Sequence, residues 1–130
     1  TGASGTIGQQ VLAQLQTLNQ FDITVFDKKS SVSQRVFAPY KKTITIVYGD
    51  ITQQENLNLA CQNQAVVIHL AAIIPPLADK KPDLAFNVNV IGTKNIIAAL
   101  EQHTPKAFLI YASSVSVYGD RLENYKIKVV

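Results

Sequence analysis

The sequence opens with Thr1-Gly2-Ala3-Ser4-Gly5-Thr6-Ile7-Gly8, a glycine-rich stretch that runs directly into a helical pattern. Three glycines at this spacing allow a tight turn, close approach of a phosphate to the backbone, and close packing of a helix on a sheet. The helix that follows has an apolar stripe at Ile7, Val11, Leu12, Leu15 and Leu18. Because a helix N-terminus combines unpaired N–H groups with a positive dipole end, the stretch predicts a phosphate-binding turn.

The glycine spacing is Gly-x-x-Gly-x-x-Gly, one residue different from the commoner dinucleotide fingerprint, and no lysine follows as in a Walker loop. A glycine turn without a ligand is therefore the alternative. About twenty residues later, residues 21–27 form a strand pattern that ends in Asp27. An acid at this place in a dinucleotide-binding βαβ unit binds the adenosine ribose. The alternative for Asp27 is a plain turn residue before Lys28 and Lys29.

The composition is that of an ordinary globular domain. The chain has 130 residues, of which 47% are hydrophobic and 16% charged, enough for one domain with a buried core. The net charge of +3 comes largely from paired lysines without interleaved aromatic residues, so we expect no nucleic-acid partner. A single cysteine, Cys61, and the lack of an apolar run of about 18 residues favour a cytoplasmic protein without a membrane partner. Cys61 is expected in the core, and no metal site is predicted.

Strand and helix patterns alternate along the chain. The strand patterns cover residues 21–27, 43–48, 65–72 and 107–112, and the helical patterns cover residues 7–18 and 83–102. Residues 30–42 fit either a loop or a short helix, whereas Thr52 with Glu55 three residues later predicts a helix start. This alternation predicts an α/β fold with a doubly wound parallel sheet and ligands at the carboxyl ends of its strands.

The start of the sequence leads to a further expectation. A glycine fingerprint of this kind follows a central strand, yet no strand precedes Thr1, and the chain contains no Met. We therefore expect a fragment of a longer protein, with the first strand of the sheet outside it.

Six segments together resemble the extended short-chain dehydrogenase/reductases, in particular the NAD-dependent epimerase/dehydratase group typified by UDP-glucose 4-epimerase. They are residues 1–8, Asp27, residues 49–51 (Gly-Asp-Ile), residues 69–72 (His-Leu-Ala-Ala), residues 89–93 (Asn-Val-Ile-Gly-Thr) and residues 112–119 (Ala-Ser-Ser-Val-Ser-Val-Tyr-Gly). The resemblance covers most of the chain. It implies that residues 1–130 are a partial Rossmann-type NAD(P)-binding domain, without the substrate-binding domain that follows in the family.

The resemblance also implies a set of cofactor-binding residues, namely Gly2, Ser4, Gly5, Thr6, Ile7, Gly8, Asp27, Asp50, Ile51, Leu70, Ala71, Ala72, Asn89, Ala112 and Ser113. The glycine loop would bind the pyrophosphate and Asp27 the adenosine ribose. Asp50 and Ile51 would flank the adenine. Residues 70–72 would line the path to the nicotinamide ribose, and Asn89 would brace the loop that they form. For Asn89 the alternative is a hydrogen bond within its own helix.

Ser114 matches the catalytic Ser/Thr of the family, whose hydroxyl would donate a hydrogen bond to the reacting oxygen. An ordinary turn serine is the alternative. The family also needs a Tyr with a Lys four residues later. No Tyr here has that spacing, and the nearest match, Tyr125 with Lys128, is one residue short, so we expect the pair beyond Val130. For His69, a buried core histidine is favoured over a catalytic base.

The resemblance therefore implies that the parent protein is an oxidoreductase or isomerase that passes a hydride between NAD and a nucleotide-sugar or a similar alcohol. NAD is expected in preference to NADP, because Asp27 would repel a 2′-phosphate. The expected partner is the small-molecule substrate, and the parent could be a homodimer. Two alternatives stay open. One is a dinucleotide-binding redox sensor without turnover, and the other is an enzyme for a steroid-like substrate, suggested by the apolar residues 73–76.

Overall fold

The computed structural model describes residues 1–114, 117 and 119. The strands are β1 (Ile23–Asp27), β2 (Ile44–Tyr48), β3 (Val66–His69) and β4 (Phe108–Tyr111). The helices are α1 (Thr6–Leu18), α2 (Ser31–Phe37), α3 (Leu77–Lys80), α4 (Pro82–Phe86) and α5 (Thr93–His103). Strand β1 pairs with β2 and β3 with β4, both in parallel. The predicted α/β class with parallel strands is confirmed.

Within the described residues the strands form two separate pairs, with an apolar cavity, here called the central slot, between β1 and β3. The slot has a volume of about 600 Å³ and is also lined by Leu12 and Leu15 of α1. At its end the Thr1 amino group donates to the Ile68 carbonyl at 2.7 Å, and the Leu70 N–H donates to the Thr1 carbonyl at 3.2 Å. Thr1 is therefore paired in parallel opposite His69. The slot lies where the sequence predicts a central strand.

Two clusters of buried apolar side chains, as far as the described residues show, stabilise the strand pairs. The larger cluster consists of Phe26, Ile51, Leu57, Cys61, Val88, Ile96, Ala99 and Leu100. The smaller one consists of Leu12, Val25 and Phe37. Cys61 is thus a core residue, as predicted, and burial raises the pKa of its thiol. Ile7 is not part of a buried stripe, because its side chain is 66% exposed at the start of α1.

The helix start predicted at Thr52 is wrong. The Thr52 N–H and Oγ1 both donate to Asp50 Oδ1, at 3.0 and 2.8 Å, so the hydroxyl is already engaged. A short 3-10 turn follows at Gln54–Leu57, and none of the side chains that the structure describes caps it. A capping box does occur at Ser30 and Ser33, where it begins α2 in the segment that fits either a loop or a helix.

The long helix predicted at residues 83–102 is present, but it changes its winding. Between α4 and α5 the chain forms a π-helical segment at Asn87–Gly92. Such wide turns are rare and occur frequently at functional sites. Here the segment contains Asn89, one of the predicted site residues. None of the helices in the described part of the chain is long and apolar enough to cross a membrane.

The motif predicted at residues 112–119 is described only in part. Val115, Ser116, Tyr118 and residues 120–130 lie outside the described residues. The match of Val115, Ser116 and Tyr118 to the family motif therefore remains a prediction, as does the expectation that the catalytic Tyr and Lys lie beyond Val130.

Candidate functional site

The glycine turn packs so closely on its neighbours that two of its glycines have no room for a side chain. Gly2 has a φ of +72°, and a Cβ there would lie 2.6 Å from the Ala71 nitrogen. A Cβ at Gly8 would lie 2.3 Å from the Gly2 carbonyl oxygen and 2.6 Å from Ala3 Cα. Gly5 differs, because its Cβ would meet only the Gly2 oxygen, at 3.3 Å. Gly2 and Gly8 thus give the turn its shape, while the surface at Gly5 stays open.

The N-terminus of α1 is available to an anion. Gly5 occupies the N-cap position in an extended conformation, and no described side chain caps the helix. The first turn also contains no acidic residue, and both Thr6 and Ile7 are exposed. N–H groups without a side-chain acceptor, at the positive end of a helix of 13 residues, are the usual donors to a phosphate.

Asp27 lies beside this turn, at the carboxyl end of β1. Its Oδ2 accepts a hydrogen bond from the Ser4 N–H at 2.9 Å, and its Oδ1 accepts one from the Lys28 N–H at 2.8 Å. The structure therefore brings Asp27 and the glycine turn together, as the motif spacing predicts. Each carboxylate oxygen has one backbone donor and keeps further acceptor capacity.

Asp50 lies at the same end of the sheet as Asp27, two residues after the carboxyl end of β2. Its Oδ2 is 2.8 Å from Lys28 Nζ, while its Oδ1 accepts the two hydrogen bonds from Thr52. The hydrogen bond from Lys28, followed by the backbone one from Thr52, lowers the pKa of Asp50 to about 2. Ile51 is buried in the larger core cluster, and its carbonyl accepts a hydrogen bond from the Asn95 side chain at 3.0 Å. Its predicted contact with adenine stays a prediction.

His69 is a satisfied core histidine, as predicted. It is 1% exposed, and its Nδ1 and Nε2 lie 2.7 Å from Thr1 Oγ1 and 2.9 Å from Thr93 Oγ1. The Thr93 hydroxyl donates its single hydrogen to the Asn89 carbonyl, so Nε2 must carry the ring proton and Nδ1 must accept from Thr1. Burial lowers the pKa of His69 to about 4, which keeps the ring neutral at neutral pH.

Asn89 connects the π-helical segment to the loop after β3. Its Oδ1 accepts from the Ile73 N–H at 2.8 Å, and its Nδ2 donates to the Ile73 carbonyl at 2.9 Å. Residues 70–72 lie between this contact and the glycine turn, since Leu70 bonds Thr1 and Ala71 packs against Gly2. The amide of Asn89 thus bonds both backbone groups of a residue in the very loop that it is predicted to brace.

Ala112, Ser113 and Ser114 are exposed residues that follow β4. The Ala112 N–H donates to the His69 carbonyl at 3.4 Å. This segment therefore lies beside residues 70–72, at the carboxyl ends of β3 and β4. Ser114 therefore lies on the side of the sheet where a parallel α/β fold binds its ligand. Its catalytic role remains a prediction.

Four residues around the candidate site make contacts that the sequence does not reveal. They are Thr1, Lys28, Ile73 and Thr93. Thr93 carries the clearest signal, because it follows Asn89 by one helical turn and threonine hydroxyls there bond the preceding carbonyl. Lys28 adjoins Asp27, but its distant partner Asp50 is not evident from spacing.

Comparison with known proteins agrees with this geometry. The family model of the 3-beta hydroxysteroid dehydrogenase/isomerase family matches residues 1–128. The "3 beta-hydroxysteroid dehydrogenase type 7" proteins of Mus musculus and Homo sapiens are 29% and 30% identical to the chain over 127 residues. This region is 96% of the chain and 34% of each relative, so the chain spans about a third of their length.

Among solved structures, the chain is similar to the UDP-glucose 4-epimerase of Thermus thermophilus in complex with NAD, with a TM-score of 0.82. The sequences are 23% identical, and the match covers 98% of this chain and 40% of that one. The likeness shows a shared Rossmann-type fold. The chain belongs to the 3-beta hydroxysteroid dehydrogenase/isomerase family.

Proposed function

We propose that this chain is the dinucleotide-binding part of an NAD-dependent oxidoreductase that acts on an alcohol or a ketone. The observation that carries this proposal is the contact between the glycine turn and Asp27, whose carboxylate accepts from the Ser4 N–H at 2.9 Å. A carboxylate fixed beside an open helix N-terminus provides acceptors for the hydroxyls of a ribose and donors for a pyrophosphate. NAD, when bound, supplies the hydride chemistry.

The residues at this edge fit NAD better than NADP. Among the described residues, each oxygen of Asp27 accepts from one backbone donor, so the carboxylate can still accept from both ribose hydroxyls. A 2′-phosphate would instead meet the negative charge of Asp27, with that of Asp50 across the same edge. NAD is therefore the cofactor that we propose.

For the substrate, we give first place to a steroid-like alcohol and second place to a nucleotide-sugar. The similarity to the 3 beta-hydroxysteroid dehydrogenase type 7 proteins supports the first class, and so do the Ile74 and Leu77 side chains, which are 69% and 42% exposed. An apolar ring system gains free energy when it covers such side chains. The nucleotide-sugar class is supported by the fold alone.

In the reaction, the Ser114 hydroxyl would donate a hydrogen bond to the reacting oxygen, where negative charge develops. His69 does not act as the base, because both of its ring nitrogens bond threonine hydroxyls and burial lowers its pKa to about 4. We propose that it positions the start of the glycine turn instead.

The decisive experiment measures dissociation constants of NAD and NADP for the intact protein and for Asp27→Asn. We expect the wild type to bind NAD more tightly and Asp27→Asn to weaken NAD binding about tenfold, the effect of losing a charged hydrogen-bond acceptor. Asp22→Asn is the matched control, because Asp22 is an exposed residue just before β1. If the wild type binds neither dinucleotide, or if Asp27→Asn binds NAD like the wild type, the proposal fails.

A second experiment distinguishes the candidate activities. The intact protein is incubated with NAD and either a 3β-hydroxysteroid or a UDP-sugar, and NADH absorbance and product formation are followed. NADH formed with the steroid supports the first substrate class, and an epimerised sugar supports the second. Tight NAD binding without turnover of any alcohol would favour the redox sensor.

A further inference from the structure

We propose that Asp50 determines cofactor specificity by binding Lys28, which would otherwise bind the 2′-phosphate of NADP. The inference rests on the proposed function, since it concerns which dinucleotide the Asp27 edge accepts. It assigns a function to an ion pair between two residues that the sequence places 22 positions apart.

Lys28 begins beside the predicted ribose site. Its backbone N–H donates to Asp27 Oδ1 at 2.8 Å, so the base of its side chain lies next to that carboxylate. The side chain then extends to Asp50, where Nζ lies 2.8 Å from Oδ2. Because the Lys28 side chain is 67% exposed, it is free to turn toward another anion at the same edge.

Asp50 is the fixed partner of the pair. Its Oδ1 accepts from both Thr52 groups, and its own N–H donates to Asn56 Oδ1 at 3.2 Å. A 2′-phosphate would therefore have to compete with a preorganised carboxylate for the Lys28 ammonium. It would also lie near two carboxylates, Asp27 and Asp50, with one lysine already paired between them.

The ion pair contributes little to stability, because exposed pairs are screened by water and salt. Asp50→Asn keeps the size of the side chain and an oxygen that can accept from Thr52. It removes the charge that binds Lys28 and repels a phosphate. The released ammonium could then contact a 2′-phosphate directly, as lysines do in many phosphate sites.

The test compares the ratio of NADP to NAD dissociation constants for the intact wild type, Asp50→Asn, Lys28→Met, and the double variant of these two. We expect Asp50→Asn to lower this ratio about tenfold, the effect of one charged contact to a phosphate. The shift should grow at low ionic strength. Adding Lys28→Met to Asp50→Asn should cancel most of it. Lys29→Met in the same background is the matched control, because it removes an equal charge one residue away and should leave the shift in place.

Three results would overturn the inference. The ratio could stay within about twofold in Asp50→Asn, or Lys29→Met could cancel the shift as fully as Lys28→Met. Lys28→Met alone could also weaken NADP binding about tenfold, which would show that Lys28 already binds the phosphate in the wild type. This measurement does not depend on how Asp50→Asn folds. If the wild type binds NAD but Asp50→Asn leaves the ratio unchanged, only this inference is refuted. If the wild type binds neither dinucleotide, the proposed function is refuted with it.

Discussion

Replacing Gly8 with alanine should destabilise the protein, although alanine is the better helix former. In an open helix interior the exchange of glycine for alanine stabilises by about 1 kcal/mol. At Gly8 the new Cβ would lie 2.3 Å from the Gly2 carbonyl oxygen, and 2.6 and 2.9 Å from two backbone atoms of Ala3. These atoms belong to the main chain of the turn, so they cannot move aside as the end of a flexible side chain could.

The magnitude follows from two opposing effects. Inserting a methyl group into a packed site costs about 1–3 kcal/mol, and contacts this far below the optimum of about 3.5–4.0 Å favour the upper end of that range. Subtracting the gain in helix propensity leaves a loss of about 2 kcal/mol. Gly5→Ala is the matched comparison, because its Cβ would meet one atom at 3.3 Å and its φ of −73° suits alanine. We expect it to change stability by less than about 1 kcal/mol.

Urea unfolding of the intact protein, followed by circular dichroism, measures both changes. A titration with NAD then separates stability from binding. Gly8→Ala should unfold at lower urea, whereas Gly5→Ala should keep its stability and lose NAD affinity, because the methyl group would project where a phosphate approaches the turn. The reasoning is refuted if Gly8→Ala is as stable as the wild type, or if Gly5→Ala is the less stable of the two.

Three further predictions concern other parts of the chain. Ser114→Ala in the intact protein should lower turnover at least about tenfold with little change in the NAD dissociation constant, because the hydroxyl is proposed to act on the reacting oxygen; a loss confined to NAD binding would contradict this role. Adding about six apolar residues before Thr1 of the 130-residue chain should raise its stability and its NAD affinity, since a strand in the central slot would bury the apolar side chains that line it; equal NAD binding by both forms would be evidence against the central slot as a strand site. His69 should make stability fall as the pH is lowered from 6.5 toward about 4, because its folded-state pKa is the lower one and the unfolded chain binds the proton first. This loss is at most about 1.4 kcal/mol per pH unit, and His69→Gln should show a shallower pH dependence in the same urea series.

The elements nearest to the glycine turn are predictable because local chemistry determines them. Glycine spacing, an apolar helix stripe and an acid at a strand end each depend on residues close in sequence, and Asp27 and α1 lie where these patterns predict. The helix start at Thr52 fails for an equally local reason. A threonine hydroxyl can cap a helix or bond a preceding aspartate, and Asp50 lies two residues before it.

Contacts between distant residues could not be predicted in the same way. The Lys28–Asp50 pair and the bonds of Asn89 to Ile73 depend on how strands and helices are placed in space. The sequence does not predict the π-helical segment around Asn89 either, because the buried residues there have the same spacing as in an ordinary α-helix. The family resemblance implies that Asp50 and Asn89 belong to the site, and the structure shows which backbone or side-chain groups they bond.

The edges of β1 and β3 that face the central slot, with which no strand of the described residues pairs, also affect how this chain behaves at high concentration. An open strand edge flanked by apolar side chains is a template on which another polypeptide can pair. We expect two copies to associate through these edges, and the association should increase with protein concentration. We expect a short charged or proline-containing peptide segment placed at this edge to keep the chain monodisperse, because it prevents continued strand pairing.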